Sequence, residues 1–196
     1  MLRRNRALRA FGGAWVFPGG RVDETDGPEL DEISRAKITA ARETQEETGL
    51  SIFDAPLVTL SNWIPPIEEK RRFSTWFFVG RAPDAPVVID EGEIHDFQWI
   101  CPKKAMASVP SDNFMIMPPT YISLFALQNY ENVDVALNGL SAIKPEIFKT
   151  RFGRNSRGFI TLWPGDTAYE DLDFEKSGPR RRLYAHPDGW RYETDF

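Results

Sequence analysis

Apolar residues recur at spacings of three and four between about Glu29 and Thr48. Ile33, Ala36, Ala40 and Thr44 mark one face of a helix, and Gly49 is placed to end it. Upstream, the apolar piece Trp15 to Phe17 runs into the turn Pro18-Gly19-Gly20, and residues 22–31 are acidic and turn-like. Residues 57–64 and 73–80 are rich in β-formers and predict strands, with a loop between them that carries Pro65-Pro66 and the charged run Glu68 to Arg72. Phe97 to Ile100 predicts a short strand, Pro102 to Ala107 a short helix, and Pro119 to Tyr130 a longer one.

The pattern changes after about residue 131. A weaker helix over 132–139 precedes three alternating β-like pieces, Glu146 to Phe152, Gly158 to Trp163 and Arg181 to His186. Turn residues such as Pro164-Gly165-Asp166 and Pro187-Asp188-Gly189 punctuate them. The expected organisation is α/β: one domain over 1–131 and a C-terminal helix and β-hairpin extension over 132–196 packed on it. The exposed hairpins of that extension, with Trp163, Trp190 and Tyr192, serve either as a homodimer contact or as cover for the chain's own sheet.

Composition narrows the function classes. The 196 residues are 41% hydrophobic, enough for a core at this length. The net charge of −5, from 24 basic and 29 acidic residues, gives no general reason to bind a nucleic acid polymer. The single cysteine, Cys101, permits neither an internal disulfide nor a thiolate zinc cluster, and fits a reducing, cytoplasmic setting. No apolar run is long enough to span a membrane, and no hydrophobic stretch follows the basic N-terminus to make it a signal peptide. No strand-to-helix nucleophile elbow, H-E-x-x-H zinc site or phosphate-binding P-loop occurs; His95 and His186 read as structural.

The informative stretch is Arg42-Glu43-Thr44-Gln45-Glu46-Glu47-Thr48-Gly49-Leu50. Glu43, Glu46 and Glu47 are related by i+3 and i+4 and share one flank of the helix. Like charges at this spacing repel by roughly 0.2–0.5 kcal/mol per pair, and the helix C-terminus disfavours anions. A hard divalent cation removes the conflict, because magnesium takes carboxylate and phosphate oxygens. Arg42 is placed to pair with Glu46 at i+4 or to orient Glu43. Taken on charge alone, a solvated acidic helix face is the readier explanation of the cluster.

The flanking residues decide between these. Arg42-Glu43-x-x-Glu46-Glu47-x-Gly49-Leu50, preceded by Phe17-Pro18-Gly19-Gly20, resembles the Nudix box, G-x5-E-x7-R-E-U-x-E-E-x-G-U with U a bulky aliphatic residue. Three departures stand out, one of them Thr44 where a bulkier aliphatic residue is usual. The gap from Gly20 to Arg42 is 21 residues against 13 in the usual box, with the extra length expected in 21–30. Counting back from Arg42, the first acidic position falls on Ser34, with Glu32 out of register. The resemblance implies a Nudix-type α/β/α sandwich with a mixed sheet, in which the strand before the Arg-rich loop is very short or lacking here. It implies a hydrolase that cleaves the diphosphate of a nucleoside-linked substrate with Mg2+ or Mn2+. Glu46 and Glu47 resemble its principal metal ligands, Glu43 its further ligand or general base, and the carbonyl of Gly19 a backbone ligand. Glu93 is the expected later acidic ligand, with Glu91 and Asp96 as rivals.

Arg9-x3-Gly13-x3-Phe17-Pro18-Gly19-Gly20 resembles the tail of a signature of the coenzyme A diphosphatases of this family, although Asn5 stands where that signature has an earlier Arg. The segment Trp63-Ile64-x-Pro66, with Arg71-Arg72-Phe73-Ser74-Thr75-x-Phe77-Phe78, resembles the same branch. Coenzyme A or an acyl-CoA is thus the leading expected substrate, with ADP-ribose, dinucleotides and nucleotide sugars as alternatives. Arg9, Arg71, Arg72 and Lys70 are expected to bind phosphate, and Trp15, Trp63 or Phe73 to stack on a base. A non-catalytic ligand-sensing or protein-binding Nudix fold is the alternative of another class; such folds commonly lose box carboxylates, and this chain keeps all three.

Overall fold

The computed structural model describes residues 1–66 and 73–196. Three sheets and four helices make up the described residues. The first sheet is antiparallel, with β1 (Leu2–Arg4) between β2 (Trp15–Val16) and β5 (Ile94–Phe97). The strand before the Arg-rich loop is therefore present, three residues long and central in its sheet. The second sheet is mixed. In it β3 (Val58–Ile64) pairs antiparallel with β4 (Thr75–Val79) and parallel with β6 (Glu146–Lys149). The third sheet is the antiparallel run β10 (Gly189–Thr194), β9 (Arg181–His186), β8 (Gly158–Leu162) and β7 (Arg151–Asn155).

Helix α1 (Glu32–Thr48) follows from local chemistry at both ends. Asp31 accepts from the Ile33 and Ser34 N–H groups, satisfying donors that the first turn leaves open. Gly49 ends the helix at φ 70°, a left-handed conformation that glycine adopts without steric cost, and donates to the Gln45 carbonyl. The buried positions are Ala36, Thr39, Ala41, Glu47 and Thr48, whereas Ile33, Ala40 and Thr44 are only half-buried. The expected apolar stripe is therefore rotated toward Thr39 and Glu47. Strand β4 lies along α1, with the Trp76 indole donating to Glu32 and Lys37 set over Phe78. Proline starts both α2 (Pro102–Ala107) and α3 (Pro118–Leu127), which pack on one another, and α4 (Val133–Ser141) packs on β3.

The piece read as one strand over Glu146 to Phe152 divides at Thr150, whose N–H donates to the Ile64 carbonyl. Residues before the break extend the sheet of β3, and residues after it start the C-terminal sheet. The break carries side chains from beyond residue 131 into the main core. Trp63 stacks on Phe148 at 4.3 Å between ring centroids, and Trp163 meets both edge-on at 5.5 and 5.3 Å. Strand β10, not among the predicted strands, adds Trp190 and Tyr192 against the same core. No helix among the described residues is long and apolar enough to cross a membrane.

One buried ion pair anchors the C-terminal sheet. The Arg182 and Asp166 side chains are both fully buried. Asp166 accepts from Arg182 Nε and Nη2 at 2.6 and 2.5 Å, and from the Arg181 and Ala168 N–H groups. Burial alone would push its carboxyl up, but these donors outweigh it and hold the carboxyl below its ordinary value. Asp166→Asn leaves a buried guanidinium without its counter-charge and is expected to cost about 3–5 kcal/mol in urea unfolding, with Arg182→Met in the same background recovering most of it. The sign of the pH dependence follows from the lowered value. The stabilisation is present above the unfolded carboxylate pKa of about 3.9 and is lost as pH falls through the folded value, so the deficit of Asp166→Asn shrinks below about pH 4.

Candidate active site

Three segments converge on the C-terminal half of α1: the Gly19-Gly20 turn, the loop after it, and the end of β1. Arg42 is the hub. Its Nε donates to Asp26 Oδ1 and its Nη2 to Asp26 Oδ2, both at 3.0 Å, forming a bidentate pair. Nη2 also donates to the Arg21 carbonyl at 3.1 Å, and Nη1 to Glu43 at 3.0 Å and Glu46 at 3.1 Å. One side chain thus contacts both Glu46 and Glu43, the two partners expected for it.

Asp26 is the residue that the sequence reading missed. It is 3% exposed and also accepts from the Asp23 N–H and the Thr39 hydroxyl. The Arg42 hydrogen bond is the main reason its carboxyl lies far below the usual range, against the opposing effect of burial. Ser34 and Glu32, the positions reached by counting back from Arg42, are engaged elsewhere: Ser34 with Asp31, and Glu32 with Trp76. Counting forward from Gly20 instead, five residues intervene and the sixth is Asp26, where the Nudix pattern has its first Glu. The eight extra residues therefore follow Asp26, between it and Arg42, rather than filling 21–30.

The three glutamates occupy different surroundings. Glu46 is largely exposed. The Glu43 carboxylate presses against Gly20, where a Cβ would collide with it, and burial pushes its pKa up against the pull of Arg42. Glu47 is 6% exposed, and its Oε2 accepts from the Gly19 N–H at 2.9 Å. Gly19 has φ 154°, and its N–H is the group seen to meet the glutamate. Burial pushes the Glu47 carboxyl up to about 7; the charges of Glu43 and Glu93 act in the same direction, and the Gly19 N–H and Arg4 against it.

Glu93 is exposed and pairs with Arg4 at 3.4 Å. Arg4, on β1, was not singled out from sequence, yet both its charge and that of Glu93 are felt at Glu47. Glu91 is exposed, and Asp96 accepts from the Phe97 N–H. Arg9 lies exposed in the β1–β2 loop. Lys70, Arg71 and Arg72 fall outside the described residues. Trp15 and Trp63, each 5% exposed, are core side chains and offer no face to a ligand; Phe73 is 56% exposed. A separate concavity of about 390 Å³ lined by Ser51, Pro56, Arg81 and Leu137 contains none of the carboxylates.

The donor chemistry fits a hard divalent cation. Glu43 and Glu47 are carboxylates whose charge burial disfavours, and Glu47 has a single N–H donor rather than a bonded cation. Arg42 meanwhile draws Glu43 and Glu46 to itself, while Glu47 turns to Gly19. Among the described residues no three acidic, His or Cys side chains converge as a ready cage.

Comparison with known proteins bears on the family and the fold. The chain is 26% identical over 210 residues to nudix hydrolase 7 of Caenorhabditis elegans, covering 87% of this chain and 69% of that protein. It is 33% identical over 127 residues to the acyl-coenzyme A diphosphatase NUDT19 of Homo sapiens, and 28% over 190 residues to that of Gallus gallus. Those matches cover 58% and 81% of this chain but only 32% and 49% of the relatives, so the chain spans a third to a half of their length. A crystal structure of a NUDIX hydrolase from Alicyclobacillus acidocaldarius superimposes with a TM-score of 0.60 at 22% identity, over 73% of this chain and 88% of the other, which shows the shared fold. A family model described as the NUDIX domain matches residues 1–118, more than half of the chain, and the chain belongs to the Nudix hydrolase family.

Proposed function

We propose that this chain hydrolyses the diphosphate of a nucleoside-linked substrate, with coenzyme A or an acyl-CoA as the leading candidate, using Glu43, Glu46 and Glu47 together with Mg2+ or Mn2+. The observation that carries the reading is the placement of Glu47, a buried carboxylate with one N–H donor, beside Glu43 and the Gly19-Gly20 turn. The coenzyme A choice is supported by the names of the acyl-coenzyme A diphosphatases to which the chain is similar.

When bound, the divalent cation would neutralise diphosphate oxygens and lower the pKa of a water molecule. Glu46 and Glu47 would hold it, with Glu43 and Gly19 as further ligands and Glu93 supplying a carboxylate from the opposite loop. Glu43, half-buried and raised in pKa, is suited to take the proton of the attacking water. Water adds its oxygen to one phosphorus, the bridging P–O bond breaks, and two phosphomonoesters leave. Arg42 keeps Glu43 in line, and Asp26 keeps Arg42 in line. Arg9, Arg71 and Arg72 would meet the remaining phosphate charge.

Glu46→Gln and Glu47→Gln each keep side-chain size and are expected to lower kcat by about 10²-fold or more without lowering the thermal midpoint. Near-normal turnover in both variants would reject the assignment. Chromatography of a magnesium- and manganese-supplemented panel is expected to show 4′-phosphopantetheine or its acyl form released from coenzyme A or acyl-CoA, and no turnover in excess chelator. Turnover of only ADP-ribose, dinucleotides or nucleotide sugars would replace the coenzyme A assignment and leave the hydrolase reading standing.

A further inference from the structure

Arg21 directly follows the Gly19-Gly20 turn, and its carbonyl accepts from Arg42 at 3.1 Å. That bond fixes the Arg21 backbone to the residue that holds Glu43 and Glu46. Its side chain is exposed and extends to the start of β4, where the guanidinium carbon lies 5.7 Å from the Phe73 ring centroid. Phe73 is 56% exposed. An exposed cation–π pair contributes little to folding, and an exposed phenyl ring gains little from burial. Another solvent-facing arginine–phenylalanine pair among the described residues, Arg154 over Phe159 at 5.0 Å, belongs to the C-terminal sheet. Arg21 and Phe73 are set apart by their link to the carboxylate helix.

We infer that Arg21 and Phe73 form a clamp for the nucleoside end of the substrate, with the base stacked on Phe73 and a phosphate on Arg21. The inference rests on the diphosphate reading above. A phenyl face offers area for stacking, and an adjacent guanidinium offers planar donors for a phosphoryl oxygen. Neither group reads the hydrogen-bonding edge of a base, so the clamp selects for the presence of a base over its identity. It is a specificity device and takes no part in proton transfer.

Two measurements test this. The first is KM and kcat of the wild type, Phe73→Leu, Phe73→Tyr and Arg21→Gln on nucleoside diphosphate esters and on a base-free dialkyl diphosphate. The second is direct binding of AMP to the same proteins without turnover. Phe73→Leu is expected to raise KM for base-bearing substrates by roughly tenfold at unchanged kcat, to weaken AMP binding in step, and to leave the base-free substrate unaffected. Phe73→Tyr restores binding. Arg21→Gln weakens AMP more than adenosine. Shifts below about twofold, or equal shifts on base-bearing and base-free substrates, overturn the clamp. If the wild type hydrolyses no diphosphate but loses AMP on Phe73→Leu, the hydrolase reading falls and the clamp stands.

Discussion

The site depends on how one guanidinium is held. Arg42 makes five hydrogen bonds, two to Asp26 and one each to the Arg21 carbonyl, Glu43 and Glu46, which matches the five N–H donors of an arginine. A planar fork with every donor engaged has one orientation, so Arg42 transmits the position of a loop to the carboxylates of a helix. The loop is itself braced: Arg35 donates to the Asp23 and Asp26 carbonyls, and Thr39 to the Asp26 carboxylate. Lysine could not replace arginine here, since a point charge with three rotatable donors would fix neither Glu43 nor Glu46.

Residues whose structure follows from their neighbours in the chain were legible in the sequence. The body of α1, its end at Gly49 and the helix over Pro102 to Ala107 follow from periodicity, capping and proline chemistry, although α1 starts at Glu32, after the Asp31 cap, rather than at about Glu29. Long-range pairings were hidden. Asp26 becomes a partner of Arg42 only because the chain doubles back over α1, and counting from Arg42 crosses the inserted residues whereas counting from Gly20 does not. Arg4 reaches the surroundings of Glu47 through the β1–β5 pairing, which nothing in its own segment announces. The division at Thr150 was illegible for a related reason. Alternation over Glu146 to Phe152 specifies extended backbone, and the change of sheet is set by which edge each half finds.

The C-terminal strands bear on the site through the core. Parallel pairing of β6 with β3 brings Phe148 onto Trp63, and Trp163 closes over both. Trp63 is thereby committed to packing, its indole N–H to Ser61 and its faces to Phe148 and Trp163. With β3 fixed, its antiparallel partner β4 is fixed as well, and β4 is joined to α1 through Trp76 and Lys37. Phe73, two residues before β4, thus leads into a strand that β3 and α1 hold in place.

Charge bears on whether the arrangement is catalytic or a bare scaffold. Asp26, Glu43 and Glu46 set three carboxylates around one bonded guanidinium, Glu47 accepts from the Gly19 N–H, and Glu93 is paired with Arg4. A glutamine at position 47 would accept the same bond from Gly19 and would escape both the desolvation and the repulsion that raise the Glu47 pKa. A glutamine at 43 would still meet Arg42. For holding the Gly19-Gly20 turn against α1, amides would serve better than acids. A divalent ion entering among the acids would offset their desolvation and mutual repulsion, which an amide does not need. This asymmetry weighs against a purely structural role for these side chains, and it draws on their burial, independently of family resemblance.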